Sequence, residues 1–460
     1  MRRHRSILVL SLLAVIAGCA SLGSPGAAGI PQLERAPAEH PTSATANRAL
    51  GIAYYQARRY ADARQALEDA AKLDPRDGTT QLFLGMTAEA QNDLAAARTA
   101  YSSYVQYGRT ARVRHLLEDR LAALDHKELV LAAKQDVANE AQLSSQPGAR
   151  TTVAVLPLTF SGADTTLRPL GRGLAELLTT DLAQSPKLTV VERERVQALL
   201  DEIELQRSGA TDPRSGVRAG RILRAGTLVA GGIQQAGSDL RVDAPVVNVN
   251  TGSVVASPSD TRTLDHLFTI ERNIAFGIFK SLGITLTTAE RDSIERRPTK
   301  SLAAFLAYSR GLAFQDEGRF DDAGRMFDQA LRLDPGFSAA RQQAQQAHAA
   351  AQGDQVTAAT VEDGLRGSAE GQVVASAAGT AFPGRGNRAG GLLGTVNGIA
   401  NGLNPTPAGA AAAGGGQASI NSQAGNRNNP AATGNGTDNP GDKLAHIVIV
   451  IPIPHSGEGH

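Results

Sequence analysis

A 34-residue period is the strongest constraint on what this chain can fold into. Leu50-Gly51 recurs as Leu84-Gly85, 34 positions on. The first unit continues with Tyr54, Tyr60, Ala63, Leu67, Ala70 and Pro75, and the second with Ala88, Leu94, Ala97, Tyr101 and Tyr104. Small residues at Gly51 and Ala63 let two helices of a hairpin approach closely. Larger residues fill the space beside them, and Pro75 ends the second helix.

This pattern resembles the tetratricopeptide repeat, without the Trp common early in that motif, and assigns 44–110 to two repeats. A third unit lies far downstream in "YSRGLAFQDEGRFDDAGRMFDQALRLDP". It places Gly311, Phe314, Gly318, Phe320, Ala323, Phe327, Ala330 and Pro335 on the same template. With a following helix as cap, it occupies 289–352. One isolated repeat buries its faces poorly, and roughly three are usual. This unit is therefore expected to pack on the middle of the chain or on another chain. Between the arrays, 111–150 reads as a leucine-rich helical linker.

From 151 to 288 the period changes. "TTVAVLPL", "KLTVVE" and "GTLVAGGI" read as buried strands. "DLRVDAPVVNV" and "SVVAS", joined at Asn250-Thr251-Gly252, read as a hairpin. Between them run amphipathic helices, one with Leu170, Leu174, Leu177, Leu178 and Leu182 on a face, another with Val196, Leu199, Leu200 and Ile203. The expectation is an α/β layer domain flanked by all-α repeat hairpins.

Several stretches of this domain resemble the curli secretion lipoprotein family (CsgG) and the related amino-terminal domain of TolB-type envelope proteins. They are "VAVLPL", "VVERERVQALLDEIELQRSG", "AGRILRAGTLVAGGI" and "VVNVNTGSVV". One departure is Arg224, where the family commonly has Gly. The resemblance implies an outer-membrane setting and an oligomeric export pore built from inserted β-hairpins. Two insertion points are available, "QQAGSDLR" and "PSDTRTLDH", and both read as short polar loops. A membrane strand needs ~9–11 residues, so a pore subunit stands as the alternative and an adaptor as the preferred reading.

The chain opens with "MRRHR" and a 13-residue apolar run, the flank and length of a secretory signal. Ile16-Ala17-Gly18-Cys19 then resembles the lipobox of bacterial lipoproteins. That resemblance implies a signal peptide over 1–18, lipid attachment at Cys19, and, with Ala20 following, the periplasmic side of the outer membrane. Cys19 is the chain's only cysteine, which excludes an intrachain disulfide. Residues 19–43 read as a flexible tether rich in Gly, Ala, Pro and Ser. Residues 353–460 read as a low-complexity disordered tail. Its terminal "HIVIVIPIP" reads either as an edge strand, to which Pro452 and Pro454 would confine it, or as an unstructured hydrophobic end.

Charge is balanced, 46 Lys plus Arg against 45 Asp plus Glu, which leaves no footprint for nucleic acid. There is no P-loop, G-x-S-x-G or HExxH motif, and the nine His residues fall in no ligand pairing. No catalytic, cofactor or metal residue is therefore expected. Glu192 and Arg193 read as a strand-end acid beside a helix N-terminus, or else as an inter-subunit contact. The basic run "RTARVRHLLEDR" over 109–120 reads as a solvated helix face, with an anionic-lipid contact as the alternative. The partners expected are envelope or secretion proteins in the repeat groove and the membrane through the lipid anchor. Self-association is left open, as is a purely scaffolding role for the repeats.

Overall fold

The computed structural model describes residues 29–206 and 214–381. Helix α1 (Ile30–Glu39) precedes two hairpins, α2 (Ala44–Gln56) with α3 (Tyr60–Leu73) and α4 (Gly78–Ala90) with α5 (Leu94–Tyr107). A long helix α6 (Ala111–Ala138) and a short α7 (Glu140–Leu143) lead out of this array. The third hairpin is α13 (Leu302–Asp316) with α14 (Phe320–Leu333), followed by α15 (Ser338–Gln355).

The three hairpins share one packing rule. A Cβ added at Gly51, Gly85 or Gly311 would sit 2.4 Å from Leu67, Tyr101 or Phe327 respectively. In each hairpin the absent side chain admits a large one from the partner helix. The turns match as well: Arg58, Asn92 and Gly318 occupy equivalent positions and all have positive φ.

The third hairpin is not isolated. Helix α6 packs on α5 along one part and on α15 along another, while α15 packs on α14. The order α2-α3-α4-α5-α6-α15-α14-α13 is thus one continuous helical layer, although some 160 residues of sequence separate α6 from α13 (138 to 302). Close approach fixes the splice: a Cβ at Gly353 would meet the Asp119 carbonyl at 1.9 Å.

The α/β domain fills the interval. Its elements are β1 (Ala149–Val155), β2 (Thr159–Ser161), α8 (Leu170–Leu182), β3 (Thr189–Val190), α9 (Arg193–Gln206), α10 (Arg214–Ile222) and β4 (Ala225–Val229). Then follow β5 (Gly232–Ala236), β6 (Asp239–Asp243), β7 (Val246–Asn248), β8 (Ser253–Ala256), β9 (Ser259–Thr263), α11 (Leu267–Ser281) and α12 (Thr288–Glu295). The main sheet has the order β3-β1-β4-β7-β8, parallel at β3-β1-β4 and antiparallel beyond. Alternation splits its faces. Val153, Val155 and Val229 join the core under α8 and α11, while Ala154 and Leu228 join the core under α9 and α10. Arg224 holds the turn into β4 at φ 54, the left-handed conformation that Gly adopts without strain.

Three sequence expectations change. "QQAGSDLR" and "PSDTRTLDH" are not loops: β5, β6 and β9 join β2 in a second sheet of order β2-β5-β6-β9. Only Ile233, Leu240 and Val242 of these strands are buried, so a half-exposed sheet hides behind a polar sequence. The tether over 19–43 contains α1, whose Pro31 sits in the first turn, where its missing N–H costs nothing, and whose Ile30 is buried. The tail assigned to 353–460 begins with two helices, α16 (Ala358–Gly364) and α17 (Ala369–Ala381). Alanine is the best helix former, Thr357 caps α16, and both helices find cover on the repeats. Residues 382–460, with the terminal apolar segment, lie outside the described residues.

Candidate functional site: repeat face and domain junction

Helices α2, α4 and α6 present one face, and α16 and α17 lie on it. Val361 and Leu365 pack with Leu82, Met86, Val113 and Leu117. Val374, Ala377 and Ala381 pack with Leu50, Ile52 and Phe83, where Ile30 of α1 joins them. One charged group is buried in this contact. Glu370, 7% exposed, accepts hydrogen bonds from Tyr104 Oη (2.7 Å), Arg109 N (3.0 Å), Thr110 N (3.1 Å) and Thr110 Oγ1 (2.5 Å). Thr110 is the N-cap of α6 but makes no side-chain cap bond within that helix. The carboxylate of Glu370 therefore serves the unpaired N–H groups at the start of α6, where the helix dipole favours a negative charge. Burial pushes the Tyr104 hydroxyl upward, and its bond to Glu370 adds to this, so it stays a donor.

The basic run 109–120 is partly spent inside the molecule. Arg120 pairs with Glu89 and donates to the Gly353 carbonyl at 2.9 Å, and Arg112 reaches Asp363 at 3.1 Å. Cys19 lies outside the described residues.

A second cluster joins the modules. Arg193, the first residue of α9, is 3% exposed. It donates through Nε to Glu176 of α8 (2.9 Å) and through Nη1 to Asp316 of α13 (2.6 Å). Asp316 takes Arg172 Nε of α8 at 2.9 Å, and Gln315 Nε2 donates to Glu194 at 2.9 Å. Burial would pull the Arg193 guanidinium down, but the facing carboxylates of Asp316 and Glu176 hold it above its usual value. Each partner has the wrong sign for its own helix: a cation begins α9 and an anion ends α13. Such a pair serves the junction rather than either helix. Glu192 is exposed and takes no part, so of the two residues singled out beside the strand end only Arg193 belongs to a cluster.

Beside this junction a cavity of about 400 Å³ opens between α6, α9, α13 and α15, with Asp125, His126, Gln197, Asp201 and Phe320 in its wall. Burial pushes the Asp125 and Asp201 carboxyls up and the His126 imidazole down. Among the described residues no group of three or more His, Cys, Asp or Glu side chains is gathered to hold a metal.

Sequence reasoning missed Glu370, Glu176 and Asp316. A signal existed for two of them. Glu370 is the only charged residue from 367 to 381, and Asp316 stands at a helix C-terminus, where an acid is disfavoured.

Comparison with known families agrees with this architecture. The family model described as "Curli production assembly/transport component CsgG" matches residues 134–243. A tetratricopeptide repeat model matches 24–77 and 48–111. The chain thus carries a CsgG domain with tetratricopeptide repeats before it, and α13 and α14 repeat the hairpin after it. These are protein-interaction modules. Among curated proteins, the "Putative adenylate cyclase 3" of Rhizobium meliloti (strain 1021) is 25% identical over 195 residues. That alignment covers 42% of this chain and 32% of the relative, so this chain spans only about a third of that protein's length.

Proposed function

We propose that this chain is a lipid-anchored, non-enzymatic adaptor on the periplasmic side of the outer membrane, held there by Cys19. It assembles or supports an envelope, secretion or surface-polymer complex. The observation that carries the reading is the fusion of a CsgG domain into a continuous layer of repeat helices through the buried Arg193–Asp316 pair. A part built this way presents two interaction modules in fixed relation. The matched family's description, an assembly and transport component, favours the same role. Gly29 N donates to Ala381 O at 2.9 Å, so the described chain starts against the end of α17. From Cys19 to Gly29 the chain reaches at most about 35 Å, which would hold the repeats near the membrane. An export-pore subunit would need strands of ~9–11 residues, whereas β5 and β6 have five residues each.

Cell fractionation with in-cell crosslinking tests the reading. The native chain should fractionate with the outer membrane and crosslink to envelope proteins. Cys19→Ala should appear soluble and lose those crosslinks. A soluble Cys19→Ala chain that keeps every crosslink and full function would sink the anchoring, and a native chain that crosslinks to nothing would sink the adaptor.

A further inference from the structure

The repeat face formed by α2, α4 and α6 is filled by the chain itself, and the filler describes what the face recognises. Its polar anchor is the Glu370 carboxylate, with four donors reaching it from Tyr104, Arg109 and Thr110, each 260 or more positions away. Because this carboxylate stands at the N-terminus of α6, the cradle suits an anion and would leave N–H groups unpaired without one. Beyond Glu370, α17 buries Ala377, Ala378 and Ala381. An alanine face removes little apolar surface from water, since each alanine brings a single methyl group. The carboxylate therefore carries the specificity of this contact, and behind it the helix is held by three buried alanines and the half-buried Val374.

We propose that α17 is an exchangeable occupant, and that the face receives from a partner protein a helix of the same chemistry. That helix carries a carboxylate in its first turn and small residues seven, eight and eleven positions later, the spacing of Glu370 to Ala377, Ala378 and Ala381. The incoming carboxylate takes the four hydrogen bonds of Glu370, so α6 stays capped throughout and the exchange leaves no buried donor unpaired. The proposal rests on the adaptor reading and names the partner's recognition element.

The test uses the full-length chain in neutral detergent and a fluorescein-labelled synthetic peptide of residues 366–381. By anisotropy, the Glu370→Gln chain should bind this peptide ~10-fold tighter than the native chain, whose own helix competes. The same peptide carrying Glu370→Gln should bind ~10-fold more weakly. A second measurement needs no variant: saturating peptide should raise amide hydrogen exchange in 369–381 of the native chain while leaving 302–333 unchanged. A peptide that neither binds the variant nor raises this exchange overturns the proposal and makes α17 a permanent part of the fold. If envelope crosslinks persist in that case, the adaptor reading stands and only this inference falls.

Discussion

Asp181 on α8 and Glu271 on α11 share a hydrogen bond in the core between these helices, and Glu271 Oε1 has no further partner among the described residues. Burial pushes both acids up, Asp181 to about 6 and Glu271 further. Two carboxyls this close cannot both ionise cheaply, so they hold a proton between them. The sign of the linkage follows. The folded state binds a proton that the unfolded state releases at a lower pH, so this pair's stabilisation is complete in acid. It is lost as the pH rises from the ordinary Asp value of 3.8 through about 6 and beyond. Glu271→Gln supplies a permanent N–H donor to Asp181. It should melt about 2–4 °C above the native chain at pH 8 and show no such advantage at pH 5. Melting curves that stay parallel across this range would remove the shared proton from the account.

At the scale of elements, the Arg193 cluster ties α13 to α8 and α9, and Phe305 of α13 stacks edge-on against Phe268 of α11 at 5.2 Å. Breaking a buried pair is costlier than never having had one, because the surviving charge stays desolvated. Asp316→Asn should therefore destabilise the chain by ~3–5 kcal/mol in urea denaturation. A cost below about 1 kcal/mol, the range of exposed pairs, would show that the junction is held by apolar packing alone. Helix periodicity made α2 to α5, α13 and α14 legible in the sequence, since each hairpin repeats the same small-against-large rule at fixed spacing. Strands β5 and β9 were not legible, and β6 reads in the sequence as the opening of the hairpin strand "DLRVDAPVVNV" rather than as part of a second sheet. Ile233 is the one buried residue of β5 and β9, and their polar neighbours read as loops until the second sheet provides the pairing. Helix α17 was hidden differently. Its Ala and Gly content is that of a low-complexity segment, and the cover offered by the repeat face and the cradle around Glu370 add to alanine's helix propensity to make it a helix.

For the whole molecule, the decisive fact is that repeat helices far apart in sequence close into one layer around the CsgG domain. The expectation that a lone third hairpin must find a neighbour was legible from burial. Its neighbours were not, because α6–α15 packing and the Arg193–Asp316 pair join segments far apart along the chain. The candidate site was legible only in part: the repeats announced an interaction face, but its occupant came from a stretch with almost no charge or pattern. Among the described residues the repeat face is already covered by helices of the same chain. The measurement that tests this account most directly is the mass of the full chain in mild detergent by light scattering, with negative-stain images of the same sample. The account predicts one or two copies of the chain per particle. A closed ring of many subunits would contradict it and favour the alternative, an export-pore subunit.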